Sequence, residues 1–263
     1  SGIVGVANVI AGVVSPSGRL VDTYSYDHST TPTYYNNDNN TYANEDIDFV
    51  AGQEGNGNAN KFYQYEEGIY VGFRYYETAD SVGYFDSADF KGIDTFKGHI
   101  GLGSYTNGGV SYDGGYDEIV QYPFGFGMSY TSFTQEIISS DIDLEPGGTN
   151  TVTVRVTNTG EKAGKEVVQL YLDAPYRSDT ENFGIRGAGL EKSKVSLVAF
   201  GKTDTLEPDA SGEVALTFAT DDLASFDNFG QGCYVLERGD YKFNVQANAH
   251  YWGADGSDNA PYD

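Results

Sequence analysis

The chain has 263 residues, 39% of them hydrophobic, and 39 Asp and Glu against 15 Lys and Arg, a formal net charge of −24 at pH 7. Nucleic acid and anionic lipid are gripped by clustered positive charge, so neither is expected as a partner, whereas a neutral carbohydrate is compatible with this field. No segment approaches the roughly 18 consecutive apolar residues of a spanning helix, and the single cysteine, Cys233, excludes an intrachain disulfide and a cysteine-built metal centre.

The chain opens on Ser1-Gly2-Ile3-Val4, already inside an apolar run, with no signal peptide, as a cut through a domain would. Ile3, Val6, Ala7 and Ile10 share one helical face and Gly12 follows as a stop, which predicts a helix over 3–11. The turn Ser15-Pro16-Ser17-Gly18 leads into Arg19-Leu20-Val21, a short strand. From Tyr24 to Asn60 the composition shifts to Asn, Asp, Thr, Gly and Tyr without periodicity, a long loop that includes the glycosylation sequon Asn39-Asn40-Thr41.

The run from Glu67 to Tyr76 alternates, with Ile69, Val71, Phe73 and Tyr75 on one face, and predicts a strand in which Gly72 permits a close backbone approach. Residues 80–118 are Gly-, Asp- and Tyr-rich. Tyr122-Pro123-Phe124-Gly125-Phe126-Gly127-Met128-Ser129-Tyr130 sets aromatics between glycines and reads as a tight, buried turn. After Phe133, alternating runs at 151–157, 166–172, 195–200, 213–218, 233–236 and 241–247 are punctuated by turn signals such as Pro146-Gly147-Gly148 and Arg238-Gly239-Asp240. Short strands at this spacing, with the valines of 151–156 inward, predict an antiparallel sandwich. Within it Cys233 reads as a small buried hydrophobe.

Tests for chemistry come back empty. Gly127-Met128-Ser129-Tyr130-Thr131 lacks the last glycine of a nucleophile elbow, and His28, His99 and His250 lie in no partner motif. No phosphate- or dinucleotide-binding glycine pattern occurs, and no cofactor is expected. The acidic stretch Asp255-Gly256-Ser257-Asp258-Asn259 lacks EF-hand spacing and reads as a solvated loop, so no metal is expected. Glycoside hydrolysis uses two carboxylates about 5–10 Å apart. Among 39 acidic residues some pair meets that spacing by accident, so even Glu66-Glu67 reads first as a strand-end pair held by backbone or arginine.

Two strings go further. Tyr65-Glu66-Glu67-Gly68-Ile69-Tyr70-Val71-Gly72-Phe73-Arg74-Tyr75-Tyr76-Glu77 and the stretch from Tyr122 to Phe133 resemble family 3 glycoside hydrolases. Ser15-Pro16-Ser17-Gly18-Arg19-Leu20 is similar to a helix-to-strand turn late in that family's α/β sandwich domain. Gly164-Lys165-Glu166-Val167-Val168-Gln169-Leu170-Tyr171-Leu172 and the run 197–227 resemble its fibronectin type III-like domain.

The resemblance spans about residues 2–250 and implies a mixed architecture. Residues 1–133 would be the C-terminal portion of a partial α/β sandwich, an incomplete three-layer domain. Residues 134–250 would be an all-β fibronectin type III-like, immunoglobulin-type sandwich, and 251–263 a polar tail or linker. It implies a retaining β-glycosidase whose nucleophilic Asp sits on a (β/α)8 barrel and whose acid/base Glu sits earlier in the α/β sandwich. Both would lie outside this chain, so no residue here receives a catalytic role.

Glu67, Gly72, Arg74, Gly125 and Gly127 are then structural motif residues, and Tyr105, Tyr112 and Tyr116 are candidates for the rim of a sugar site. The implied partners are the barrel, the missing part of the α/β sandwich and a carbohydrate substrate. The texture of the 194–204 run resembles members that carry the barrel after the fibronectin-like domain. The opposing reading is a free-standing binding or scaffold module without activity.

Overall fold

Alternation in the valine-rich run translates directly into a buried face. In the computed structural model, which describes residues 2–34, 63–65, 67–87, 115–176, 190–228 and 232–250, strand β4 (Thr149–Asn158) buries Asn150, Val152, Val154, Val156 and Asn158. The other strands of this region are β3 (Phe133–Asp141), β5 (Val167–Asp173), β6 (Ser196–Lys202), β7 (Ser211–Ala219) and β10 (Lys242–Gln246). They form two antiparallel sheets, ordered β3-β4-β7 and β10-β5-β6. Val152, Val154, Val156, Leu216 and Phe218 of the first sheet meet Val168, Leu170, Leu172, Phe243 and Val245 of the second in one core. The architecture is mostly β-sheet with few helices, a fibronectin type III-like sandwich.

Two asparagines close the ends of β4. Asn158 Nδ2 donates to the carbonyls of Lys162 (2.7 Å) and Leu206 (2.9 Å) while its Oδ1 accepts from Thr131 Oγ1 (2.6 Å). Asn150 Oδ1 accepts from the Asp143 amide (2.8 Å), and its Nδ2 donates to Thr220 Oγ1 (2.9 Å). Unmet polar groups in a core cost about 1–3 kcal/mol each, so these ends are places where the fold is specified rather than merely packed.

Strands β8 (Ser225–Phe226) and β9 (Tyr234–Val235) make a minimal hairpin, shorter than the 233–236 run predicts. Cys233 is exposed, not buried: the hairpin lies outside both sheets of the core, so its residues have no apolar face to turn toward. Strand β3 was not among the predicted runs; only Phe133 of its nine residues is buried, so no alternation marks it. The polar tail at 251–263 lies outside the described residues.

The chain divides into two units, Ser1–Thr23 with Tyr122–Asp263, and Tyr24–Gln121. The first contains the sandwich and helix α1 (Gly2–Ile10). In the second, β1 (Tyr24–Ser25) pairs with β2 (Val120–Tyr122), which follows directly on the short helix α3 (Tyr116–Ile119).

The largest correction falls on 67–76. A strand is not formed there; helix α2 runs from Phe73 to Ser81. Gly68 and Gly72 both take φ 58°, a left-handed conformation that bends the chain out of any extended path. Gly72 therefore serves as the residue that starts a helix, and Ile69 and Val71, expected on one strand face with Phe73 and Tyr75, are exposed. Burial resumes at Tyr76, Glu77 and Ala79, where Tyr76 packs with Phe85, Tyr116 and Ile119 in a small second core.

Candidate functional site

Three stretches far apart in sequence meet on the outer face of the β10-β5-β6 sheet. Val168, Leu170 and Leu172 of β5 point into the sandwich, yet Gln169 and Tyr171 on its opposite face are buried as well. What covers them is the glycine-aromatic turn. Gln169 Nε2 donates to the carbonyls of Gly125 (3.2 Å) and Ala247 (2.7 Å), and Gln169 Oε1 accepts from Tyr171 Oη (2.8 Å). The Ala249 amide donates to the Phe124 carbonyl (2.9 Å).

Gly125 holds φ 83°, and a Cβ there would overlap Gln169 Oε1 and come within 2.9 Å of Tyr171 Oη. Only glycine fits this approach. At Gly127 a Cβ would run into the Gly18 carbonyl and the Arg19 guanidinium. The turn is tight, with Gly125 buried and Phe124, Phe126 and Gly127 half-buried, but it is not buried throughout as expected: Tyr122, Met128 and Tyr130 are exposed.

On its other side the turn takes up the third stretch. The Leu20 amide donates to the Phe126 carbonyl (2.8 Å) and the Gly125 amide to the Leu20 carbonyl (2.9 Å). Arg19-Leu20-Val21 thus makes one ladder step rather than a full strand, and Val21 is exposed. Arg19 Nη2 reaches Glu166 Oε1 at 2.5 Å, with both side chains buried, and Gln135 Nε2 donates to the same oxygen (3.2 Å). Burial pushes the Glu166 carboxyl above its ordinary value against the opposing pull of Arg19.

Helix α1 approaches the same unit through its end. Tyr130 Oη donates to the Val9 carbonyl (2.8 Å), and Gly12 closes the helix at φ 69°. The predicted helix is present, but the face built by Ile3, Val6 and Ile10 buries nothing; Ile3 is 82% and Ile10 78% exposed.

The rim candidates separate. Tyr105 and Tyr112 lie outside the described residues. Tyr116 is buried, not presented to solvent, and its hydroxyl donates to the buried Glu77 Oε1 at 2.5 Å. Burial, then the neighbouring Glu77 charge, drives the Tyr116 phenol well above the ordinary tyrosine range. A Gly-rich run with three tyrosines looks alike throughout; the signal that distinguishes Tyr116 is the following Ile119-Val120, which turns the ring inward at helical spacing.

Glu67 is half-buried and its carbonyl accepts from the Tyr70 amide (3.0 Å), while Arg74 is exposed on the first turn of α2. Glu66, His99, the 39–41 sequon and the 255–259 stretch lie outside the described residues. Among the described residues no three His, Cys, Asp or Glu side chains gather as a metal site requires, and no helix is long and apolar enough to cross a membrane.

Sequence reasoning missed a buried pair: Lys192 Nζ meets Glu237 Oε2 and donates to the Pro175 carbonyl (2.6 Å), while Tyr241 Oη donates to the Glu237 carbonyl (2.9 Å). Charges paired across a fold carry no periodicity by which they could have been found.

Comparison with known proteins decides the lineage. The fibronectin type III-like domain family matches residues 166–249. β-Glucosidase A of Butyrivibrio fibrisolvens is 30% identical over 257 residues, covering 90% of this chain and 23% of that protein. The structure of β-glucosidase 3B from Thermotoga neapolitana in complex with glucose aligns over 93% of this chain at 31% identity and a TM-score of 0.59. A GH3 β-glucosidase from Bifidobacterium adolescentis aligns over 92% at 25% identity and a TM-score of 0.58. Over about nine-tenths of its length the chain is similar to β-glucosidases, a GH3 enzyme among them. The chain spans 23–26% of the length of those three relatives.

Proposed function

We propose that the chain is the non-catalytic portion of a retaining β-glycosidase of the β-glucosidase type, acting on terminal β-linked sugars of oligosaccharides or glycosides. Residues 1–133 belong to the C-terminal part of its incomplete three-layer α/β sandwich, 134–250 form its fibronectin type III-like domain, and 251–263 are a polar tail or linker. The nucleophilic Asp and the acid/base Glu lie in the barrel and the remaining α/β sandwich, which are this chain's partners along with the carbohydrate. Glu67, Gly72, Arg74, Gly125 and Gly127 serve architecture, and Tyr105 and Tyr112 rim the sugar site.

Helix α1 carries this reading. Its sequence is apolar on nearly every side, the pattern of a helix buried all round, yet it buries no residue. Burying one Val or Ile side chain is worth about 1.5–3 kcal/mol, so a further layer over Ile3, Val4, Val6 and Ile10 would be strongly stabilising. Relatives about four times as long supply chain for such a layer, the chain being 23% of the length of the Butyrivibrio enzyme.

The test is turnover and binding by purified residues 1–263. No hydrolysis of aryl β-glucosides or β-xylosides is expected, and measurable turnover overturns the proposal. Calorimetric titration with oligosaccharides separates the alternative: tight binding by the isolated chain would make it a free-standing carbohydrate-binding module.

A further inference from the structure

We infer that Gln169 and Arg19 are positioning residues that lock together the two chain segments through which Tyr24–Gln121 leaves and rejoins the sandwich unit. The chain leaves that unit just after Leu20 and rejoins it just before Gly125, and these positions are hydrogen-bonded to one another, Leu20 amide to Phe126 carbonyl and Gly125 amide to Leu20 carbonyl. Two such bonds are a weak ladder on their own, because an isolated two-stranded pair is marginal in water.

Here each segment of the stem has its own anchor in the sheet beneath. The returning segment is held by Gln169, whose amide nitrogen spans Gly125 and Ala247 (3.2 and 2.7 Å), and by the Ala249 amide on Phe124. The departing segment is held by the buried Arg19–Glu166 pair, while Lys202 Nζ donates to the carbonyl of Ser17 (2.9 Å), two residues before Arg19. The two anchors are three residues apart in β5 and its approach, so one rigid strand sets the spacing of the stem.

The glycines show that this spacing is tight. Side chains at Gly125 and Gly127 would collide with Gln169 and with Arg19, respectively, so each anchor has its own glycine cut to fit it. Apolar packing alone would not need a glutamine between two carbonyls; the buried amide specifies register, which a leucine of similar volume could not. The inference concerns only the sandwich unit and stands whether or not the parent is a β-glucosidase.

Amide hydrogen exchange on the 263-residue chain reads the lock directly. In the wild type the Leu20 and Gly125 amides should exchange within about tenfold of the slow Val154 and Leu170 amides of the sandwich, since strongly protected amides open only with the cooperative unit. Gln169→Leu should speed exchange at Leu20 and Gly125 by at least about tenfold while Val154 and Val214, in the opposite sheet, change little. Should Gln169→Leu not fold, Gly125→Ala, which displaces the Gln169 amide from the turn side, is read in the same way. Rapid exchange at Leu20 and Gly125 in the wild type overturns the inference. So does a variant in which all four amides accelerate equally, because that is general destabilisation rather than a lock.

Discussion

Arg19 and Glu166 form a buried pair whose net value depends on pH. Burial raises the Glu166 carboxyl and Arg19 opposes the rise. A raised carboxyl means that the folded state takes up the proton more readily than the unfolded one. The stabilising contribution of Glu166 is therefore full below the ordinary carboxylate value and is lost as pH rises through the elevated one. Removing the guanidinium removes the opposing pull. Arg19→Met should cost about 3 kcal/mol or more at about pH 7, where an unpaired carboxylate is buried, and much less at about pH 4, where the carboxyl is neutral. Urea unfolding of both proteins at the two pH values measures this, and an equal difference at both would contradict it. None of it was legible in the sequence, where Ser15-Pro16-Ser17-Gly18-Arg19-Leu20 marked a turn and Glu166 the start of a strand run, 147 positions apart.

At the scale of elements, legibility tracked burial geometry. Strands β4, β5, β6, β7 and β10 fall on alternating runs because each has a face in the core. Strand β3 escaped notice, since an edge strand with one buried residue need not alternate. Helix α2 was misread because its first residues continue an accidental alternation from Ile69 to Tyr75, while its buried positions, Tyr76 and Ala79, fall at or beyond the end of the alternating window. The left-handed glycines at 68 and 72 were the available warning.

Helix α1 was placed correctly, but no pattern could say that its apolar face stays uncovered within these residues. Replacing Val6 and Ile10 together by Lys should therefore change the stability of the 263-residue chain by less than about 0.5 kcal/mol, the range of ordinary surface substitutions. A loss of about 2 kcal/mol in thermal or chemical unfolding would mean that the face is buried against this chain and is not a docking surface.

For the whole molecule, the sequence resemblance and the comparisons agree on lineage, and the sandwich agrees with both on architecture. The rim candidates were poorly legible: three tyrosines share one local texture, yet Tyr116 belongs to a small core with Glu77 beneath it. What distinguishes the account from a free-standing module is that this chain should complete a hydrolase without supplying its chemistry. The most direct measurement is a chimera in which residues 1–263 replace the homologous segment of β-glucosidase A from Butyrivibrio fibrisolvens, with hydrolysis of an aryl β-glucoside as the readout. The account predicts a folded chimera that hydrolyses the glucoside, alongside an inactive 263-residue chain; a folded chimera without activity, or turnover by the chain alone, would contradict it.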